Sequence, residues 1–353
     1  MSILKVDTLQ HRDGTEYILS ERNKLINGDF SVAQRGTSIT SATDITNNDT
    51  NHTLDRWQLF SDGNDIVDVT QETTTVPTNQ LYAIALDVET ANKKFGIAQK
   101  IEQKNCVDLI GNEVTLSFKA KVSATTNLDN VKCAIIAWDG TADSLTDDMI
   151  SAWGVEGTNP TLATNYTYEN TPANLNLTTS YATYTTTATI DTSGAKNVVV
   201  FIWSDVTTTS AGEFLYVTDV QLEKGPSNSI FERKSFNEQY SACQRYFMGV
   251  GGALPYQNFA DGECNSTSNA RVGFAAPCHL FKAPAITVSS NGHFVLNSNG
   301  SQHDPTGFAN HHSSTDYIFM DVNLPTGTAV SYQPARLHGK NTTSARVYVD
   351  AEI

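Results

Sequence analysis

The stretch EVTLSFKAKV, residues 113–122, alternates without a break between apolar and polar side chains. Val114, Leu116, Phe118, Ala120 and Val122 fall on one side of an extended chain, and Thr115, Ser117, Lys119 and Lys121 on the other. Successive side chains of a strand point to opposite faces, so this pattern predicts an antiparallel strand with one face packed and one wet. The same period recurs at Tyr82 to Val88, Phe95 to Ile101, Tyr181 to Ile190 and Phe214 to Leu222. Val198 to Trp203 is apolar throughout, which predicts a strand covered on both faces. Clusters of Asn, Gly, Asp and Ser separate these runs, and helical periodicity is almost absent. The region from about 25 to 232 therefore reads as a β-sandwich.

Upstream lies KLINGDFSVAQRG, residues 24–36, where Leu25, Ile26 and Phe30 bracket Asn27-Gly28-Asp29. That triplet suits positive φ and a sharp reversal, so a strand, a tight turn and a second strand are predicted. Downstream comes SFNEQYSACQRYFMGVGG, residues 235–252. Ser235 followed by Glu238 is a capping-box signature, and Phe236, Tyr240, Cys243 and Phe247 recur at helical spacing. One helix of roughly three turns is predicted there. Isolated helices shorter than about 12–15 residues are marginal in water, so its apolar seam must lean on the sandwich or on copies of itself around an axis. Alternation resumes in AITVSS, HFVLN, YIFMDVNL and ARVYVDAEI, predicting a smaller β domain over 251–353 whose last strand is paired. The domain reading is 1–23 as a docking segment, 24–232 as sandwich, 233–250 as helical linker and 251–353 as the second β domain. The first 23 residues hold one strand-like run, Ile3 to Leu9, too short for a core of its own.

The chain has 353 residues, enough for two domains at roughly 150 residues each. Its net charge of −15 repels polyanions, so nucleic acid is not an expected partner. No run of about 18 apolar residues exists to cross a membrane, and the amino terminus lacks a signal peptide's apolar region. A protein folded in the cytoplasm and acting outside would then leave by lysis or by assembly into a particle. The five cysteines form no CxxC pair, so buried free thiols are expected rather than a zinc or redox site.

Reactive constellations are few. Asp143, Asp147 and Asp148, and Asp62 with Asp65, sit in polar loop sequence and read as solvated acids. GxSxG, HExxH, P-loop and EF-hand spacings are absent, so no enzyme is expected. His303, His311 and His312 lie in SQHDPTGFANHHSSTD, which reads as an exposed tip loop for contact with a partner. Adjacent histidines on an extended segment point apart, so His311 and His312 are not expected to share a metal. Trp57 and Trp203 sit in apolar runs and read as core. Trp138, before the turn signal Asp139-Gly140, and Trp153, in SAWGVEGTNP, read as exposed aromatic platforms on which a sugar ring would lie. Asn27, Asp29 and Asp219 are oxygen-bearing residues at the ends of strands expected to be neighbours, an arrangement open to a structural calcium ion and equally to plain surface turns.

The stretches LINGDFSVAQRGTS, LDRWQLF, VTLSFKAKV, ATYTTTATI and VTDVQLEKGPSNSIFERKSFNEQYSACQRYF together resemble the skeleton of structural fibre and appendage proteins of tailed bacteriophages. The likeness runs over roughly 23–248, and VQLEKG and CQRYF are its most specific parts. It implies an all-β fold, an antiparallel jelly-roll sandwich similar to a carbohydrate-binding module. It also implies a virion component, commonly a homotrimer, with Phe236, Tyr240, Cys243 and Phe247 at the trimer seam. Modules of that shape often hold calcium near the first turn and the last strand, which makes Asp29 and Asp219 the expected ligands. ILKVDTLQHRDGT looks like a segment that docks on other virion proteins, and the stretch from RVGFAAPCHLFKAPAITVSS looks like a distal knob. The function so implied is a non-enzymatic, tail fibre-like adhesin for a host surface glycan. The alternative is an architectural connector that binds only virion proteins, and a depolymerase tailspike is disfavoured because β-helix repeats are missing.

Overall fold

A computed structural model describes residues 21–40 and 51–353. Residues 1–20, which carry nearly all of the expected docking segment, lie outside it. The chain divides into two compact units. The first holds most of the chain up to Ser235, and the second is built from Val32–Thr37, Leu54–Arg56 and Phe236–Ile353. The expected linker is therefore not a separate piece: the division falls at Ser235, and two short upstream segments also belong to the second unit.

The first unit is an antiparallel jelly-roll sandwich of two six-stranded sheets. One sheet runs in the order Ser38–Ile39, Val67–Glu72, Ala83–Val88, Phe214–Lys224, Glu113–Val122 and Ala182–Thr189. The other runs Tyr166–Tyr168, Val131–Trp138, Asn197–Ser204, Phe95–Ile101, Gln58–Ser61 and Asn51–His52. The opening alternation is realised in part: Val114, Leu116, Phe118, Ala120 and Val122 are buried and Lys119 and Lys121 lie partly open on the other face, but Thr115 and Ser117 on that face are buried too. Asn197–Ser204 is buried at every position, as its unbroken apolar run requires. Its second cover is the excursion after Trp138, which returns across the sheet so that Trp153 lies 6.1 Å from Phe201. Trp57 and Trp203 are core residues.

The KLINGDF segment contradicts its predicted strand, turn and strand: residues 24–36 form no strand at all. Side chains replace the ladder. Asn23 Oδ1 accepts from Leu25 N and Leu222 N, Gln99 Oε1 accepts from Ile26 N, and Trp57 Nε1 donates to Asn27 O. Asn27 and Phe30 hold the positive φ values, 58° and 57°. Gly28 is needed for a different reason, since a Cβ there would stand 2.1 Å from Val220 O. Backbone against backbone leaves no room for a side chain.

The second unit has a three-stranded sheet, Phe247–Gly251, Arg346–Asp350 and Ala285–Val288 in that order. It also has a seven-stranded sheet, whose central strands are Pro334–Gly339, Asn258–Ser266 and Asn269–Ala275. They enclose one core that includes Phe294, Leu296, Val272, Met320, Leu337 and Val347. The last strand is central and paired on both sides. The helix spans Phe236–Gln244, shorter than the predicted three turns. Phe247 is not on it: it opens the next strand, so the expected four-residue seam is not one helical face. Of that set Cys243 and Phe247 are buried in the unit, Tyr240 is half-buried, and Phe236 is exposed and stacked on Tyr240.

Candidate functional site

A concavity of about 510 Å³ lies on the outer face of the sheet that holds EVTLSFKAKV. Its floor comes from period-two alternation: Ser117 and Lys119 face outward on one strand, and Thr183 pairs with Lys119 from the edge strand. Asp219 joins them through an irregularity in the neighbouring strand. Between Thr218 and Gln221 the register shifts, and Asp219 takes a φ of 54°. Such a bulge re-aims a side chain that regular pleating would send elsewhere.

Asp219 is buried and fully engaged. Gln80 Nε2 donates to both of its oxygens at 2.5 Å, and the Lys119 ammonium stands 2.9 Å from Oδ2. The rim is a loop after the last sandwich strand, with Asn228, Ile230, Phe231 and Arg233, facing Thr78 and Asn79. Arg233 ties the two sides together by donating to Asn79 O. Glu223 secures the base of that loop, accepting from Ser229 N and from Ser229 Oγ at 2.7 Å each. The outcome is a polar cleft with an ammonium, a guanidinium, amides and hydroxyls, plus an apolar patch at Ile230 and Phe231. Farther along the same face, Lys121 sits between the Tyr181 and Tyr216 rings, 5.9 and 5.4 Å from their centres.

The residues singled out from sequence fall elsewhere, apart from Asp219. Trp138 and Trp153 are buried, contrary to the expected platforms. Trp138 packs 4.7 Å from Tyr166 and donates to Thr141 O at 2.9 Å, because the turn after it folds back over the ring. The three histidines belong to the second unit. His303 is buried on the strand Ser301–His303 rather than exposed, and His311 is bonded to Asp321 at 2.9 Å. His311 and His312 do not point apart: the left-handed φ of His312, 50°, brings their rings to 4.8 Å.

Asp29 and Asp219 do not fit the calcium expectation. Asp29 Oδ1 accepts from Ser31 N and Oγ, and a cation at Asp219 would have to displace the Lys119 ammonium. Among the described residues no group of three His, Cys, Asp or Glu side chains is placed to hold a metal. Of the loop acids, Asp65, Asp147 and Asp148 are exposed, as solvated acids are, whereas the half-buried Asp143 accepts through Oδ1 from Gln103 N and Asn197 Nδ2. All five cysteines are free, and burial pushes the Cys106 and Cys133 thiols up to about 12. Among the described residues no helix is long and apolar enough to cross a membrane.

No family model matches the chain, and no curated protein matches it. Solved structures with a similar arrangement include the enzymatically active domain of tailspike protein 4 from bacteriophage CBA120. That match has 15% identity and a TM-score of 0.35, over 60% of this chain and 23% of that one. The chain thus aligns with under a quarter of the tailspike domain. A CBM22 xylan-binding domain from Paenibacillus barcinonensis matches at 13% identity and TM-score 0.29, over 54% of this chain and 94% of its own. A CBM61 module in complex with β-1,4-galactotriose matches at 13% identity and TM-score 0.31, over 58% and 99%.

Proposed function

We propose that this chain is a non-enzymatic, tail fibre-like adhesin of a tailed bacteriophage that holds a host surface glycan in the cleft of its sandwich. The observation that carries the reading is the make-up of that cleft. Amides, hydroxyls and fixed charges around Lys119, Asn79, Asn228 and Arg233 meet the hydroxyls of a sugar, and Phe231 with Ile230 meets its apolar face. A glycoside hydrolase works with two carboxyl groups about the scissile bond. Asp219 is the one carboxylate among the described cleft-lining residues, and it is already neutralised by Lys119.

The virion part of the reading is supported by the sequence skeleton from 23 to 248. On it, three chains assemble about an axis, residues 1–23 dock on other virion proteins, and Phe236 with Tyr240 supplies the contact between copies. Trimeric display suits a shallow polar cleft, because the second and third contacts become intramolecular and raise avidity without new chemistry. Glycan-array binding of the purified chain tests it. Saturable binding to a defined set of glycans is expected, whereas a connector that binds only virion proteins would give no saturable sugar signal.

A further inference from the structure

The second unit holds a groove of about 370 Å³ on the outer face of its three-stranded sheet. Two cross-strand rows build it: Phe247, Asp350 and Ala285 in one, Gly249, Tyr348 and Thr287 in the other. The alternate residues Met248, Val347, Val349 and Ile286 face the core, so the groove-lining set is the solvent side of the pleat. Phe247 and Tyr348 lie nearly parallel, 23° apart with centres at 6.1 Å.

Arg35 forms one wall, and its place is fixed by the segment before it. Gly249 has no side chain, and a Cβ there would stand 2.9 Å from Gln34 O, so the segment lies directly on the strand. Gln34 donates to Phe247 O at 2.8 Å, and its backbone and side-chain nitrogens each donate to Asp55 at 2.6 Å. The Arg35 guanidinium is thereby set 3.6 Å over the Phe247 ring, 3.4 Å from Asp350 and 3.3 Å from Glu352. Its Nη1 is buried and has no hydrogen-bond partner among the described residues.

We infer that this groove is a second sugar site, one that takes a neutral or amino-bearing pyranoside and works independently of the cleft in the first unit. Tyr348, half-buried at the groove floor, offers a ring for the apolar face of the sugar. The Arg35 side chain, which lines the groove, donates to a hydroxyl or ring oxygen, and the half-exposed Asp350 carboxylate accepts from a hydroxyl. The Arg35 guanidinium is already compensated by Asp350 and Glu352, so a sugar acid gains no net attraction in the groove.

The test is a calorimetric titration of the full chain with methyl glucoside, methyl galactoside, glucosamine and glucuronic acid. Ala285→Trp fills the groove from an exposed position, Tyr348→Leu removes the platform, and Thr183→Trp obstructs the first unit's cleft. Melting temperatures within a few degrees of the parent show that each variant is folded. Expected is binding of neutral or amino members that Ala285→Trp and Tyr348→Leu each weaken at least about tenfold and Thr183→Trp leaves unchanged. Binding unaltered by both groove variants, or preference for the acid, would overturn the inference. If only Thr183→Trp then lowered affinity, the groove would fall and the cleft reading would stand. If only the groove variants did so, the groove stands, and the cleft is judged separately by its own titration with an array-selected glycan.

Discussion

The Lys94 ammonium and the Asp205 carboxylate meet at 2.5 Å with both side chains wholly buried. Lys94 Nζ also donates to the carbonyls of Trp153, Val155 and Thr158, at 3.4, 2.8 and 3.2 Å. Asp205 accepts in turn from Lys132 at 2.7 Å and Gly157 N at 2.9 Å. A lysine thus fills an oxygen cage and pins the 153–158 excursion to the sandwich.

Removing one member should cost far more than removing both. Asp205→Leu leaves the buried Lys94 and Lys132 ammonium groups without their shared carboxylate, with an expected loss of about 3–5 kcal/mol. Adding Lys94→Met to Asp205→Leu should recover part of it, since only the Lys132 ammonium, which still donates to Asn159 Oδ1 at 3.0 Å, then lacks a carboxylate. Urea denaturation of the two single variants and the double variant measures this coupling.

Trp153 is expected to matter for stability and not for sugar. Its truncation to Ala opens a cavity against Phe201, costing about 3–5 kcal/mol, while glycan affinity in the folded fraction stays at the parent value. Thermal melts alongside a binding titration separate the two effects.

Asp87 gives the sandwich a pH signature. Burial, then the charges of Glu89 and Asp68, raise its carboxyl from 3.8 to about 6. The folded state therefore keeps a proton that the unfolded chain has released, so between about pH 4 and pH 6 this group makes stability fall as pH rises. Above that window the penalty is constant. Because Asp87 is only half-buried, even with its Oδ1 enclosed, screening reduces the penalty to about 1 kcal/mol. Asp87→Asn is expected to be more stable than the parent by that amount at pH 7 and indistinguishable from it at pH 3.5, read from urea midpoints.

Self-association is best probed at Phe236. Phe247→Asp would bury a charge beneath Arg35 and unfold the second unit, which says nothing of a trimer. Phe236 is exposed, so Phe236→Asp should shift stability by no more than about 0.5 kcal/mol. Light scattering should show the proposed trimer in the parent and its loss in the variant; an assembly unaltered by the substitution would remove the helix from the interface.

What the sequence disclosed follows from the range of the forces involved. Period-two burial is local, so the strand at 113–122 and the doubly covered run around Val198 to Trp203 were legible, as was the core placement of Trp57 and Trp203. Trp138 and Trp153 were misread because turn chemistry marks where a chain reverses, not what it then lies upon. KLINGDF misled for a related reason: its partners Gln99, Val220 and Trp57 are distant in sequence, and they replace the expected ladder. The cleft was nearly silent. Asp219 enters it through a bulge, and Gln80, Lys119 and Arg233 come from three separate segments with no shared motif. Thr- and Asn-rich alternation beside the lone lysines was the available signal.

The most direct measurement is titration of the parent chain and its Thr183→Trp variant against the strongest glycan found on an array. Thr183 is exposed on the edge strand, so the indole obstructs the cleft and leaves the core untouched. The expected result is saturable binding by the parent and at least a tenfold loss in the folded variant, on the order of 1.4 kcal/mol. Equal affinity in the two proteins, or no saturable binding by either, would contradict a glycan-holding sandwich.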